Sequence, residues 1–211
     1  MSETQSSERI TVYSDYVCPF CYLGRESLRQ YQDSRDTHLQ IDWQPFDLRS
    51  QKRNPDGSID HAVDDGKDEE YYEQAKQGVR RLQERYGVEM DLDIATDIDS
   101  LPAQVLSYYL KEHSDYETWL TFDVAVFDAL WQEGRDIGDR DVLAELAVEA
   151  GVDESEVRSA LDDETLRETV REQFTAARQQ GVTGVPTFAY DGYAARGAVP
   201  PEQLERLVEG T

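Results

Sequence analysis

The spacing of apolar residues changes character along this chain of 211 residues, and that change limits the fold more than any other feature. From Arg9 to Ser14, Ile10 and Val12 alternate with Thr11 and Tyr13, the period of two that a strand requires. Leu39, Ile41 and Trp43 repeat it up to Pro45. Between the two runs, Phe20, Leu23, Leu28 and Tyr31 recur at helical spacing, and Pro19 occupies the first helical position, where its missing N–H is not needed. A strand, a helix and a second strand in this order favour a parallel crossover. After Phe46 the period of two does not return until Thr187.

The intervening sequence reads as helical. A turn at Asn54-Pro55-Asp56-Gly57 precedes a stripe of Tyr71, Ala75, Val79, Leu82 and Tyr86, closed by Gly87. Ser100 and Pro102 open a second helix carrying Val105, Leu106 and Tyr109. Asp115 caps a third, with Trp119, Phe122, Val126, Leu130 and Trp131, ended by Gly134; Asp139 caps a fourth, with Val142, Leu143 and Leu146. Asp153 with Glu156 makes a capping box for a short fifth. The aromatic residues on these faces are assigned to a helical core rather than to a cofactor pocket. A further helix with Leu166, Val170, Phe174 and Ala177 stops at Gly181. Thr187–Tyr190 and Tyr193–Arg196 then flank Asp191-Gly192, a hairpin signal, and Pro200-Pro201 starts a last helix with Leu204 and Leu207 facing inward. The expected class is α/β, a β-α-β…α-β-β-α mixed sheet built from residues 9–53 and 166–211 and interrupted by an all-helical insertion over 54–165.

Charge follows the same division. The net charge is −24, from 45 Asp and Glu against 21 Lys and Arg. Residues 54–165 hold 31 acidic and nine basic side chains, net −22, which leaves the rest of the chain at −2. Nucleic acid and anionic membranes would be repelled and are excluded as partners. Only four of the basic residues are lysines, Lys52, Lys67, Lys76 and Lys111, a balance that looks halophilic. Concentrated salt screens carboxylate repulsion within roughly 3 Å at 1 M, against about 30 Å at 0.01 M. An exposed helical cap has more surface to carry such charge; a near-neutral sheet portion also suits a face that meets varied polypeptides. The opening MSETQSSERI lacks the apolar core of a signal peptide, and no later run approaches a membrane span, so a soluble, cytoplasmic protein is expected.

The chemistry centres on Cys18 and Cys21. Two cysteines this close cannot form the cross-linked framework of a secreted domain. There is no second cysteine pair, and His38, His61 and His113 lie apart without ligand spacing, so no metal is expected. Cys18 follows the end of a strand and precedes Pro19, which places it at a helix N-cap, where unpaired N–H groups and the helix dipole favour a thiolate. Cys21 lies one turn further on the same face and can resolve a mixed disulfide. Pro19 and Phe20 add no charge between them. Asp15 would oppose ionisation of Cys18, or accept a proton from Cys21, or simply cap the strand end.

Three segments, Ser14-Asp15-Tyr16-Val17-Cys18-Pro19-Phe20-Cys21-Tyr22-Leu23-Gly24, Pro45-Phe46-Asp47-Leu48 and Gly181-Val182-Thr183-Gly184-Val185-Pro186-Thr187-Phe188, together resemble the DsbA-like thioredoxin family, particularly its FrnE-type branch. The likeness extends over essentially the whole chain. It implies a thioredoxin-like fold with a helical insertion, and a thiol-disulfide oxidoreductase or isomerase whose redox-active Cys18-Cys21 disulfide needs no further cofactor. It also implies a cis proline at Val185-Pro186 facing the cysteines, where Gly184, Val185 and Pro186 expose backbone to an extended substrate. Protein thiols and disulfides are the implied partners, with a low-molecular-weight thiol as a further one; oligomeric state is left open. The same superfamily holds kappa-type glutathione transferases and 2-hydroxychromene-2-carboxylate isomerases, which use a single serine or similar group at the position of Cys18. A thiol-dependent enzyme acting on a small aromatic substrate is therefore the second expectation. A holdase that binds unfolded chains between sheet and helical block is the third.

Overall fold

Ile10, Val12 and Ser14 point to one side of a strand and are buried, the pattern that alternation predicts. This is β1, Glu8–Ser14, in a computed structural model that describes residues 8–92 and 97–210. The polar opening residues 1–7, read above for their lack of an apolar core, lie outside the described residues. β2, Leu39–Pro45, runs parallel to β1 with Ile10 opposite Ile41 and Val12 opposite Trp43. The connection between them is the helix α1, Pro19–Asp33. β3, Thr187–Tyr190, pairs antiparallel with β1, placing Phe188 opposite Val12, and β4, Tyr193–Arg196, pairs antiparallel with β3. The mixed sheet has the order β2-β1-β3-β4. Asp191 at φ 46° and Gly192 at φ 82° form the hairpin turn, a pair of positive angles that asparagine-like and glycine residues adopt with least strain.

The long helical run lies between β2 and the return to the sheet. It comprises α2 Glu69–Tyr86, α3 Leu101–His113, α4 Tyr116–Trp131, α5 Arg140–Glu149 and α6 Glu154–Asp162. α7, Glu164–Gln179, packs on β2 and α3, and α8, Pro201–Glu209, closes the sheet with Leu204 fully buried. Asp68, Asp115, Asp139, Asp153 and Asp163 each accept a backbone N–H at a helix start. In the expected capping box, Asp153 takes the Ser155 and Glu156 N–H groups, while the Glu156 carboxylate accepts the Tyr109 hydroxyl at 3.2 Å. α4 ends at Trp131 rather than running to Gly134, whose φ of 67° belongs to the turn beyond.

One apolar cluster runs without a break from the sheet into the helical block, joining Ile10, Trp43 and Phe188 to Leu106, Phe122 and Leu143. The polar side chains around Tyr16 are paired, whereas the buried Trp43 indole N–H has no hydrogen-bond partner among the described residues. Tyr16 stacks on Trp43, donates its hydroxyl to Asp123 Oδ1 at 2.9 Å and lies 2.7 Å from Ser107 Oγ. Asp123 also receives the Arg25 guanidinium, so a buried carboxylate of α4 ties the cap to α1. α2 is packed differently. Its apolar contacts are with Leu23 through Val79 and Tyr86, a smaller cluster, and the N-terminal part of its predicted stripe is not core: Tyr71 is 50% exposed. The period that marks a helix face does not say whether another element covers the whole of that face.

Candidate functional site

β1 ends at Ser14, and five residues later the chain is helical, so Cys18 stands at the N-cap of α1 with extended backbone, φ −96° and ψ 113°. The turn is closed by the Cys18 N–H on the Asp15 carbonyl at 3.1 Å. The Cys18 carbonyl accepts the N–H groups of Cys21 and Tyr22 at 3.0 and 3.3 Å. Both cysteines are buried thiols, Cys18 4% exposed and Cys21 fully enclosed. Burial pushes the Cys21 thiol well above its ordinary range, and its hydrogen bond to Cys18, the Cys18 charge and the Asp15 charge push the same way; a backbone hydrogen bond from Asp15 works against them. Cys21 is thus held protonated.

The loop before β3 faces the motif. Val185-Pro186 is a cis peptide bond, and the Cys18 thiol donates to the Val185 carbonyl at 3.7 Å. Pro186 is buried against α1, which approaches this loop through Gly24: a Cβ there would lie 2.9 Å from Pro186 Cγ and 3.2 Å from Phe188 Cζ. Gly184 borders open space, and its carbonyl accepts the Thr187 hydroxyl at 2.7 Å. Pro19 and Phe20 line the cavity at Cys18, and the Phe20 ring lies over Gly78 of α2, 3.3 Å from where a Cβ would be.

Asp15 sits beneath the cysteines and is fully buried. Its Oδ1 accepts from Ser100 Oγ at 2.6 Å, Gln104 Nε2 at 3.2 Å and the Val17 N–H at 3.3 Å; its Oδ2 accepts the Leu48 N–H at 2.9 Å. Burial and the nearby Asp47 charge outweigh these donors and push the carboxyl up to about 6. The Pro45-Phe46-Asp47-Leu48 segment builds this surrounding: Leu48 supplies its N–H, Phe46 its carbonyl to Gln104 at 3.2 Å, and Asp47 pairs with Arg53 at 2.7 Å. Sequence reasoning missed Ser100 and Gln104. Ser100 reads as a helix cap, but its hydroxyl turns to Asp15, and no local pattern signals a partner 85 positions away.

A cavity of about 170 Å³ opens at Cys18, walled by Val185, Phe20, the segment after β2 and the exposed end of α2. Lys52, His61, Lys67 and Tyr71 line it, none of them singled out as site residues from the sequence. The scarcity of lysine in the chain was the available signal, since two of the four meet here. A larger cavity of about 640 Å³ lies between α1 and α4 on Leu28, Ile41 and Phe127, and neither cysteine lines it. Among the described residues, no three His, Cys, Asp or Glu side chains converge as a metal-binding group, and no helix is long and apolar enough to cross a membrane.

Comparison with known proteins gives the same outline. The model of a DSBA-like thioredoxin domain matches residues 9–209. The uncharacterized protein YwbO of Bacillus subtilis (strain 168) is 30% identical over 204 residues, 94% of each chain. The crystal structure of a probable DsbA oxidoreductase, SCO1869 of Streptomyces coelicolor, superposes with a TM-score of 0.73 at 24% identity, covering 96% of this chain and 88% of the other. A 2-hydroxychromene-2-carboxylate isomerase reaches the same TM-score at 21% identity, covering 93% and 92%. At these identities the two structures speak for the fold alone.

Proposed function

Because this chain belongs to the DSBA-like thioredoxin family, we propose that it is a thiol-disulfide oxidoreductase or isomerase, exchanging disulfides with protein substrates through Cys18-Pro19-Phe20-Cys21. The observation that carries this is the pairing of a helix-capping Cys18, in contact with the Val185 carbonyl, with a buried, protonated Cys21 one turn below it. In the reducing direction the Cys18 sulfur attacks a substrate disulfide, one substrate thiol leaves, and Cys21 attacks Cys18 to release the second. Oxidation runs the same steps backwards. Cys21 must lose its proton to attack, and Asp15 is the group placed to accept it: a carboxyl near pH 6 is ionised at neutral pH and close to the buried thiol. Gly184, Val185 and Pro186 hold the extended substrate beside Cys18, through the backbone that the loop leaves open at Gly184. The cytoplasm is the proposed location, with salt-rich surroundings suited to the charge of −24.

The test is reduction of insulin disulfides. Cys18→Ala abolishes turnover, Cys21→Ala accumulates the mixed disulfide on Cys18, and Asp15→Asn lengthens the life of that intermediate. Full turnover by Cys18→Ala overturns the assignment. The structural likeness to an isomerase supports a second reading, a thiol-dependent enzyme on a small aromatic substrate. Activity that needs an added low-molecular-weight thiol and survives Cys21→Ala would select it.

A further inference from the structure

The cavity at Cys18 has the opposite charge to the molecule around it. Among the described residues its lining holds two lysines, Lys52 and Lys67, against one carboxylate, that of Asp65, in a chain of net −24. Lys52 and Lys67 reach it from either side of Asp65, each with its ammonium 3.4 Å from Asp65 Oδ2. Lys52 comes from the turn after β2, and Lys67 from the residues just before α2. Asp65 therefore holds both ammonium groups at the cavity while neutralising at most one. Lys67 also lies 5.9 Å from the centre of the Tyr71 ring at the exposed end of α2. Burial would raise the Asp65 carboxyl, but the two lysines and the Lys67 N–H outweigh it and keep it below its ordinary range, so it remains the charged clamp between them. At about 170 Å³ the cavity is smaller than the roughly 300–1,000 Å³ of drug-sized ligand sites, which sets the scale of what enters beside the sulfur.

We infer that this cavity selects small anionic sulfur compounds, thiols or disulfides carrying a carboxylate within a few bonds of the sulfur, with Lys52 and Lys67 as the specificity-determining residues. The inference rests on Cys18 being the attacking sulfur. The step is balanced: the Cys18 thiolate attacks a disulfide RS–SR, a Cys18–SR bond forms, and one RS⁻ departs. Cys21 then gives its proton to Asp15, attacks Cys18 and releases the second RS⁻, so the protein dithiol is oxidised by two electrons and the small disulfide is reduced to two thiolates, which take up protons from Asp15 and water. Lys52 and Lys67 act on the carboxylate of R, not on the sulfur. The field of the whole chain predicts the reverse order of preference, since 24 excess negative charges favour cationic partners.

Three symmetric disulfides of similar length separate the two: 3,3′-dithiodipropionate, bis(2-hydroxyethyl) disulfide and cystamine, respectively anionic, neutral and cationic. Single-turnover oxidation of the reduced, full-length protein is followed at the lowest salt that retains its circular dichroism. The wild type is expected to react fastest with the anionic disulfide relative to the neutral one. Lys52→Gln and Lys67→Gln are each expected to lower that ratio about fivefold, the value of one charge pair near 4 Å in water. Asp65→Asn raises the ratio, a change of opposite sign that loss of folding cannot imitate. Lys76→Gln, which removes the same charge outside the cavity, leaves it where it was. Fastest reaction with cystamine, or a ratio unmoved by both lysine substitutions, overturns the inference. A wild type inert to all three disulfides instead overturns the role of Cys18 on which it rests.

Discussion

Replacing Asp15 by asparagine should change how stability depends on pH, by an amount that the buried carboxyl fixes. The ordinary carboxyl value of 3.8 is raised to about 6 in the fold. The folded state therefore holds this proton more tightly than the unfolded chain does. Its contribution to stability is complete below 3.8, declines as pH rises, and is exhausted above about 6, the reverse of a carboxylate held by a salt bridge. At about 1.36 kcal/mol per pH unit, ionising Asp15 in place costs about 3 kcal/mol at neutral pH, of which about 2 to 3 kcal/mol develops between pH 4 and 7. Asparagine keeps the Oδ1 that accepts from Ser100 and Gln104, but turns an amide donor towards the Leu48 N–H, a pH-independent loss of about 1–3 kcal/mol. In urea unfolding at constant high salt, the wild type should exceed Asp15→Asn in stability at pH 4. That margin should shrink by about 2 to 3 kcal/mol at pH 7, or reverse, while the other carboxyls cancel in the difference. Parallel curves, with a margin constant to about 0.5 kcal/mol, would refute the claim that Asp15 carries a perturbed proton.

Two further outcomes follow from contacts already described. Gly24→Ala places a methyl 2.9 Å from the Pro186 ring, and overpacking there should destabilise the fold by about 1–3 kcal/mol despite the roughly 1 kcal/mol that alanine gains in a helix; a rise in Tm would contradict it. Transfer from about 1 M to 0.01 M salt should lower Tm by ~4–8 °C, because unscreened like charges 10 Å apart repel by about 0.4 kcal/mol and five such pairs suffice; calorimetry across a salt series measures it.

Much of the scaffold was legible because it is written in local periods. β2 begins and ends where alternation starts and stops, and the hairpin falls on Asp191-Gly192. The address of Cys18 at the start of α1 was equally local, since Pro19 marks the helix entrance. What surrounds the sulfur was not. Tyr71 sits on a regular helical stripe yet overhangs the cavity, because that end of α2 is only partly covered and leaves the ring 50% exposed. Ser100 obeys the composition of a cap and bonds to a carboxylate across the fold. Lys52 and Lys67 meet only because the loop between them doubles back to Asp65, a path that no hydrophobic pattern encodes. Burial and charge at the site come from chain segments that meet in space, and a linear sequence records such meetings weakly.

The separate packing of α2 has a dynamic consequence. Sheet and cap share one apolar core, so a hinge between them would have to expose Trp43, Phe122 and their neighbours together, and they should melt as a single cooperative body. α2 leans on that body through the smaller group around Leu23, Val79 and Tyr86, with the Phe20 ring wedged against Gly78. Opening at the redox centre is therefore expected to begin with this one helix. α2 also walls the cavity at Cys18, so its undocking would expose Cys18 before the fully enclosed Cys21, and oxidants or alkylating reagents are expected to reach Cys18 first.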